Sequence, residues 1–469
     1  MSSIPQDYDL IVIGSGPAGE KAAVKAAYYG HRVALVEKES MYGGAGTNTG
    51  TMPSKTLKET AIYLSGRRDR GVFGVDRPLE HDVSIQDFFY RKNKVVSVQS
   101  SEIRKNLMYN HVDIYHGLGR FVDQHTIEVV GQDRVTINGK YILIATGSYP
   151  VHPAGIPFNR KNIHDSDSIL TIDFIPRSIV IVGAGVIGCE YATIFATMGS
   201  QVTLINGHGD ILPWLDREVA QALMSSMEQD GVRFILDNRV ENVSTSGEAG
   251  ALVHAHLATG EPIEAEVFLY AAGRAGLTQH LNLAAIGLET NQRQLISVDS
   301  TYRTIIPHIY AVGDVIGFPA LASTSMDQGR VAVAHIFGLH DLEHIAHDFP
   351  YGIYTIPEVS AYGLTEEAAQ KQGIAYDVGR AFFTDMPRGR IFGVDRGFLK
   401  LVIEAGSHRI IGVHIFGPIA TELIHFGMEL VDNHKTLAHI MGTVFNCPTL
   451  HELYKYAAYH AASSKIKNV

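Results

Sequence analysis

Two glycine clusters hold the residue types and spacing from which chemistry can first be read. GSGPAG sets Gly14, Gly16 and Gly19 in a GxGxxG spacing, and GAGVIG repeats it at Gly183, Gly185 and Gly188. In such a turn the first glycine permits the tight bend. The second lets the backbone approach a pyrophosphate, and the third lets helix and strand pack closely. The helix that follows turns free N–H groups and the positive end of its dipole toward phosphate. Glu37 and Asn206 stand at equal distances beyond their first glycines, where a side chain meets a ribose. Glu37 is able to accept hydrogen bonds from ribose hydroxyls. Asn206 opens the run NGHGD, residues 206 to 210, which contains no arginine. An asparagine there neither claims the NADH diol as an acid would nor reads the NADPH 2′-phosphate as an arginine would, although His208 offers a weak phosphate contact.

These residues need strand–turn–helix units to position them, and the pattern supplies both. YDLIVI reads as a buried strand before the first turn, KAAVKAAYYG as the helix after it, and HRVALVEKE as a second strand ending on Glu37. SIVIVGAGVIGCEYATIFATMGSQVTLIN repeats the whole unit. Between the copies, YILIATGSYP reads as a strand running into a turn at Ala145, Thr146, Gly147 and Ser148. VFLYAAGRAG brings a strand to Gly273 and Arg274, and HIYAVGDVIG brings one to Gly313 and Asp314. Asp314 has two readings: a ligand for a ribityl hydroxyl, or a cap for the helix in ALASTSMDQGRVAVAHI. From about Tyr351 the pattern changes to antiparallel strands (YTIPEVSAYG, FLKLVIEA, IIGVHIF) and closing helices without a nucleotide motif. Such a unit suits an oligomer interface.

The totals narrow the classes. The chain of 469 residues fits two to four domains, and its 45% hydrophobic and 19% charged residues match a globular protein. A net charge of -10 argues against nucleic-acid binding. No apolar run is long enough to span a bilayer. The N-terminus runs into a strand without signal-peptide character, so the expected compartment is the cytoplasm. The two cysteines, Cys189 and Cys447, form no redox or zinc motif. His340, His344 and His347 have a spacing that suggests a metal site, but lack supporting ligands and read as a solvated face; no metal is expected.

Taken together, the two dinucleotide units, the ATGS and VGDV segments and the segment GGAGTNTGTMPSK resemble the two-dinucleotide-binding-domain flavoproteins, the glutathione reductase and dihydrolipoamide dehydrogenase family. The resemblance implies an α/β chain with two Rossmann-like domains, for FAD and NAD(P), and a C-terminal α+β dimerisation domain. It divides the chain into residues 1–150 (FAD, first part), 151–280 (NAD(P)), 281–349 (FAD and central, second part) and 350–469 (dimerisation). FAD is the implied cofactor, NADH or NADPH the substrate, and a homodimer the assembly. Cofactor contacts are implied for the residues above and for Lys38, Gly43, Gly44, Gly46, Thr51, Lys55, Gly119, Ile187, Glu190, Leu321 and Ala322.

The family's segment reads approximately GGTCxNxGCxPSK, which places Gly46 and Thr51 at its redox cysteine positions. Its His-Pro-Thr-x-x-Glu run becomes Cys447, Pro448, Thr449, Leu450, His451, Glu452. The disulfide and the base that serves it are missing together, while Glu452 remains. Glycine has no sulfur, and a threonine hydroxyl does not cycle through a disulfide. The branch most similar in pattern is the soluble pyridine nucleotide transhydrogenases, which share GTxPSK, GAGVIGCEYA, GIYTIPE and FNxPT but typically keep a lone cysteine at the position of Gly46. The resemblance implies that Lys55 and Glu190 pair beside the flavin, where a lysine stabilises charge on the reduced ring. The plain alternative is an exposed lysine and a first-turn glutamate. Cys189 reads as a small buried hydrophobe. Cys447 and His451, four apart, would share a face if this segment were helical.

The sequence thus points to hydride transfer between NADPH or NADH and NAD+ or NADP+ through flavin. Two alternatives stay open: a dehydrogenase passing electrons to a quinone or protein acceptor, and a flavin-based sensor or scaffold.

Overall fold

A computed structural model describes residues 6–66, 83–246, 251–342, 344–345 and 348–466. The chain divides into two compact units. One comprises Met1–Thr56, Phe89–Pro153 and Gly273–His347; the other comprises Leu57–Phe88, Ala154–Ala272 and Asp348–Val469.

The first unit is built on a seven-stranded sheet. Asp113–His116, Val33–Glu37, Gln6–Ile13 and Arg134–Ile144 lie side by side in parallel, and Ile309–Ala311 adds a parallel partner to the last. Thr126–Val130 and Leu118–Phe121 extend the sheet antiparallel. Gln6–Ile13 is buried on both faces, which is why its sequence is an apolar run rather than an alternation. Leu10 and Val12 pack with Ala18, Ala22 and Ala26 of the helix Pro17–Tyr28. Ile11 and Ile13 pack on the other face with Phe121, Ile127 and Val129. The helix Ala322–Phe337 lies close against Pro17–Tyr28: a Cβ on Gly329 would stand 2.3 Å from the Ala18 carbonyl oxygen.

The second unit repeats the parallel motif. Its five strands run Val232–Ile235, Gln201–Ile205, Ser178–Val182, Val267–Tyr270, Ile163–Asp165. A three-stranded antiparallel sheet, Val240–Thr245, Val253–Leu257 and Ile263–Ala265, packs with it through Val243, Val253, Ala255 and Phe268. A five-stranded antiparallel sheet follows in the order Tyr351–Ile353, Glu358–Gly363, Ile410–Gly417, Phe398–Glu404, Tyr376–Phe382. Its Leu399, Leu401 and Ile415 bury against Leu453, Tyr454 and Ala457 of the closing helix Glu452–Ile466. The expected fold class, two parallel dinucleotide-type folds followed by an α+β segment, is the one observed. Among the described residues no helix is long and apolar enough to cross a membrane.

Candidate functional site

The first glycine turn sits between the strand ending at Ile13 and the helix beginning at Pro17. Gly14 takes φ +106°, and a Cβ there would come within 2.4 Å of the Ala145 carbonyl oxygen. A Cβ on Gly19 would come within 2.0 Å of the Gly14 carbonyl oxygen, so helix and turn close only with glycine at both places. Gly43 and Gly44, both at positive φ, bring a second loop against this turn, where a Cβ on Gly44 would stand 2.9 Å from Gly16 Cα. Glu37 is buried and its carboxylate organises the turn: one oxygen accepts from the Ser15 N–H at 2.8 Å and hydroxyl at 2.6 Å, the other from the Glu39 N–H at 2.9 Å. Ser15 Oγ in turn accepts from the Gly43 N–H at 3.1 Å. The sequence reading passed over Ser15, because it occupies a variable place in GxGxxG. Lys38 is exposed and pairs with Glu39 at 3.3 Å.

Around this turn the unit gathers most of the other expected residues. Ala145, Thr146 and Gly147 form the turn after Arg134–Ile144, and the buried Thr146 Oγ1 has no hydrogen-bond partner among the described residues. Gly313 donates its N–H to Gln328 at 2.8 Å, and a Cβ on it would touch Ala18 at 3.4 Å. Asp314 lies in the short helix Gly313–Ile316 and does not cap Ala322–Phe337, whose N-cap is Leu321. The capping reading of Asp314 is therefore replaced. Its carboxylate accepts from Ser148 Oγ at 2.7 Å. Arg274 donates to that same Oγ and to the Ser148 carbonyl, both at 2.9 Å, and the strand Arg274–Gly276 pairs with Ser148–Pro150. Arg274 and Gly273 thus belong with the first turn. Gly119 packs on Val36 and Ile13. Leu321 and Ala322 open the helix Ala322–Phe337.

The segment of the missing cysteines forms two helices, Gly44–Asn48 and Thr51–Leu64. Gly46 lies against the first turn: a Cβ there would stand 2.9 Å from Pro17 Cγ, so a side chain requires the ring to move. Thr51 is exposed at the start of its helix, and Lys55 is half-buried one turn later with Nζ 3.3 Å from Ser54 Oγ.

In the second unit the turn repeats. Gly183 has φ +104°, and a Cβ on Gly188 would fall 1.8 Å from its carbonyl oxygen. A Cβ on Gly185, by contrast, would meet nothing within 4 Å, which leaves the face of the turn open at the start of the helix Val186–Thr197. That opening and the N–H groups behind it fit a pyrophosphate. Ile187 is half-buried in the first helical turn. Glu190 is buried and accepts from the Tyr354 N–H at 3.0 Å, so it is not a surface glutamate serving only the helix dipole. Cys189 is buried, and burial, followed by the neighbouring Glu190, pushes its thiol up to about 12. Asn206 is tied to both neighbouring segments: Oδ1 accepts from the Ala184 N–H at 3.2 Å, and Nδ2 donates to the His208 and Asp210 carbonyls, each at 3.0 Å.

The C-terminal residues do not form the shared helical face that the four-residue spacing allowed. The helix begins at Glu452, and residues 443–449 are not helical. His451 packs its ring by Phe426 and Tyr454, with centroids at 6.2 and 6.5 Å, and burial lowers its pKa. Cys447 is exposed; desolvation and the Glu452 carboxylate beside it raise its thiol. Glu452 also accepts from the Thr449 N–H at 3.3 Å. Among the described residues, no group of three or more His, Cys, Asp or Glu could hold a metal ion. His347 lies outside the described residues, as does any role for the three-histidine run that needs it. An open depression of about 510 Å³, lined by Asp7, His125, Lys140 and His308 among others, lies at the opposite end of Gln6–Ile13 from the glycine turn. Ligands of such sheets bind beyond the carboxyl ends of the strands, so the turn and not the depression is the functional candidate.

Residues 8–329 match the family model described as pyridine nucleotide-disulphide oxidoreductase, and residues 349–458 match the dimerisation domain of the same family. A soluble pyridine nucleotide transhydrogenase of Mycobacterium bovis is 44% identical, covering 97% of both chains. One from Pseudomonas putida is 39% identical, covering 97% of this chain and 98% of the other. Among solved structures, LpdA from Mycobacterium tuberculosis superposes with a TM-score of 0.88 at 26% identity, covering 97% of this chain and 99% of that one. The HOCl-induced flavoprotein disulfide reductase RclA from Escherichia coli gives 0.86 at 28%, covering 96% and 99%. With two matched regions that together take in most of the sequence, and two glycine turns built alike, the chain belongs to the pyridine nucleotide-disulphide oxidoreductases.

Proposed function

We propose that this protein is a soluble NAD(P)+ transhydrogenase that uses FAD and moves hydride between NADPH or NADH and NAD+ or NADP+ without a disulfide. One observation carries the reading: both glycine turns are intact, while the segment that holds the family's redox pair has Gly46 and Thr51 and no sulfur. Neither remaining cysteine replaces the pair, because Cys189 is buried with a raised pKa and Cys447 stands beside a carboxylate.

FAD, when bound, supplies a centre that accepts hydride and gives it back. The unpartnered Thr146 Oγ1, the open backbone of the first turn and the acceptors Glu37 and Asp314 suit that cofactor. Ser148 and Arg274 hold Asp314 in place. Lys55 would supply positive charge to stabilise reduced flavin, as the matching lysine does in the family. Gly183, Gly185 and Gly188 shape the nicotinamide-nucleotide turn, and buried Glu190 is fixed by the Tyr354 backbone. Two copies would join through residues 349–458, and the enzyme would work in the cytoplasm.

The test is anaerobic hydride transfer from NADPH to a thio-analogue of NAD+ by the FAD-loaded protein. Rapid transfer with ping-pong kinetics is expected. Rapid bleaching of the flavin by NADPH with no transfer to the analogue would overturn the reading and direct the search to a quinone or protein acceptor. Absence of both would leave the sensor or scaffold.

A further inference from the structure

In a dinucleotide fold of this kind, a carboxylate at the end of the second strand clamps the adenosine ribose diol of NADH and repels the 2′-phosphate of NADPH. Asn206 occupies that place after Gln201–Ile205, but it carries no charge and neither of its N–H groups is free for a phosphate. Its two amide protons are spent on the His208 and Asp210 carbonyls, and its oxygen accepts from the Ala184 N–H of the glycine turn. Asn206 therefore ties the loop 206–210 to the turn and leaves nucleotide choice to whatever lies beyond it.

A second turn lies there. The Asn238 N–H donates to the Asn206 carbonyl at 3.1 Å, which binds residues 236–239 to the loop. Arg239 is exposed, its Cγ lies 3.6 Å from the position a Cβ on Gly207 would occupy, and its guanidinium has no ion-pair partner among the described residues. Its backbone is held on both sides: the N–H donates to Asn238 Oδ1 at 2.9 Å, and the carbonyl accepts from Ala258 at 2.8 Å. Gly207 has no side chain to keep the arginine stem away. Asp237, of the same turn, lies by Gly209, with Oδ2 3.0 Å from where a Cβ there would be. Arg239 is 33 positions downstream of Asn206, outside the run 206–210, and reaches Gly207 only through the fold.

We propose that Arg239 determines nucleotide specificity: it reads the 2′-phosphate of NADP(H) across Gly207, while Asn206 stays neutral so that NAD(H) is still admitted. A planar guanidinium matches a phosphate with paired N–H donors. The inference rests on the transhydrogenase reading only in assuming that both nucleotides use this turn, and its test needs no turnover.

The probes are 2′,5′-ADP and ADP-ribose, which lack nicotinamide, titrated calorimetrically into FAD-loaded wild type, Arg239→Met and Arg239→Lys. Met keeps the apolar stem, and an unchanged unfolding midpoint shows that the turn is intact. Arg239→Met should weaken 2′,5′-ADP about tenfold, the low end for a charged hydrogen bond at an exposed site, with ADP-ribose changed less than about twofold. Arg239→Lys should fall between, and the wild-type affinity for 2′,5′-ADP should drop with added salt. Equal weakening of both probes, or no weakening of either, overturns the assignment. Failure of NADPH-to-thio-NAD+ transfer together with a selective Arg239 effect would sink the transhydrogenase reading alone.

Discussion

At the scale of single residues, what matters is which polar groups are already committed. Glu37 and Asn206 occupy equivalent positions, yet one is a carboxylate with capacity left after holding Ser15 and Glu39, and the other a neutral amide with both N–H groups committed. Spacing located both residues, but it gave no sign of what each side chain bonds to, because those partners come from loops that only folding brings together. Lys55 is the residue on which the proposed chemistry most depends. Lys55→Met should slow flavin reduction by NADPH about 100-fold, as for loss of a group that stabilises developing charge. Anaerobic titration should also show a lower reduction potential for the bound flavin, which a merely structural role would leave in place. Unchanged rate and potential would remove Lys55 from the proposal.

At the scale of elements, the second unit holds a buried ionic group that joins its parallel part to its C-terminal sheet. Lys400, from Phe398–Glu404, is buried and reaches both carboxylate oxygens of Asp216 at 2.7 and 2.9 Å, Glu218 at 2.9 Å, and Glu366. Arg380 holds Glu218 with two bonds at 2.7 and 2.8 Å. His414 is buried beside them and donates its Nε2–H to the Leu364 carbonyl at 2.9 Å, while its Nδ1 has no partner among the described residues. Burial opposes charge on Lys400, but its carboxylate neighbours raise its pKa. Burial alone would raise the Asp216 carboxyl, yet His414 and Lys400 hold it below the ordinary range. Burial lowers His414. Lys400→Met should cost about 3 kcal/mol, because it strands buried carboxylates, and a denaturant midpoint measures it. Acid should weaken the same unit in two steps. His414, with its folded pKa depressed, takes up a proton more readily when unfolded, so stability declines as pH falls below about 6.5. Asp216, also depressed, adds a further loss below about 4. A denaturant midpoint that holds constant from pH 7 to pH 5 would contradict the His414 part. None of this was legible in the sequence. The strands and helices themselves were, because apolar runs bounded by glycine have one reading, whereas a lysine on a strand gives no hint that three acids converge on it. The condition under which Cys447 and His451 would share a face is not met, for a local reason: Pro448 lacks an N–H and disfavours helix at the residue before it, and the helix starts only at Glu452.

At the scale of the whole molecule, the order of the motifs was enough to read the architecture, since each glycine turn demands a strand before it and a helix behind it, and two such units followed by antiparallel strands leave few alternatives. The residues that hold the site were less legible, because Ser15 fills a variable place within its motif and Gln328 and Tyr354 act from outside theirs. The sulfur-free segment at Gly46 and Thr51 reaches beyond catalysis, to how the enzyme meets poisons. Trivalent arsenic inactivates dithiol enzymes by bridging two neighbouring thiolates, and with one buried cysteine and one exposed this chain presents no such pair. Arsenite at concentrations that silence a dithiol reductase should leave its NADPH oxidation intact, and alkylation at Cys447 should be slow at neutral pH because its thiol is raised. A cell exposed to such agents would lose its disulfide reductases while this route between its two nicotinamide pools stayed open.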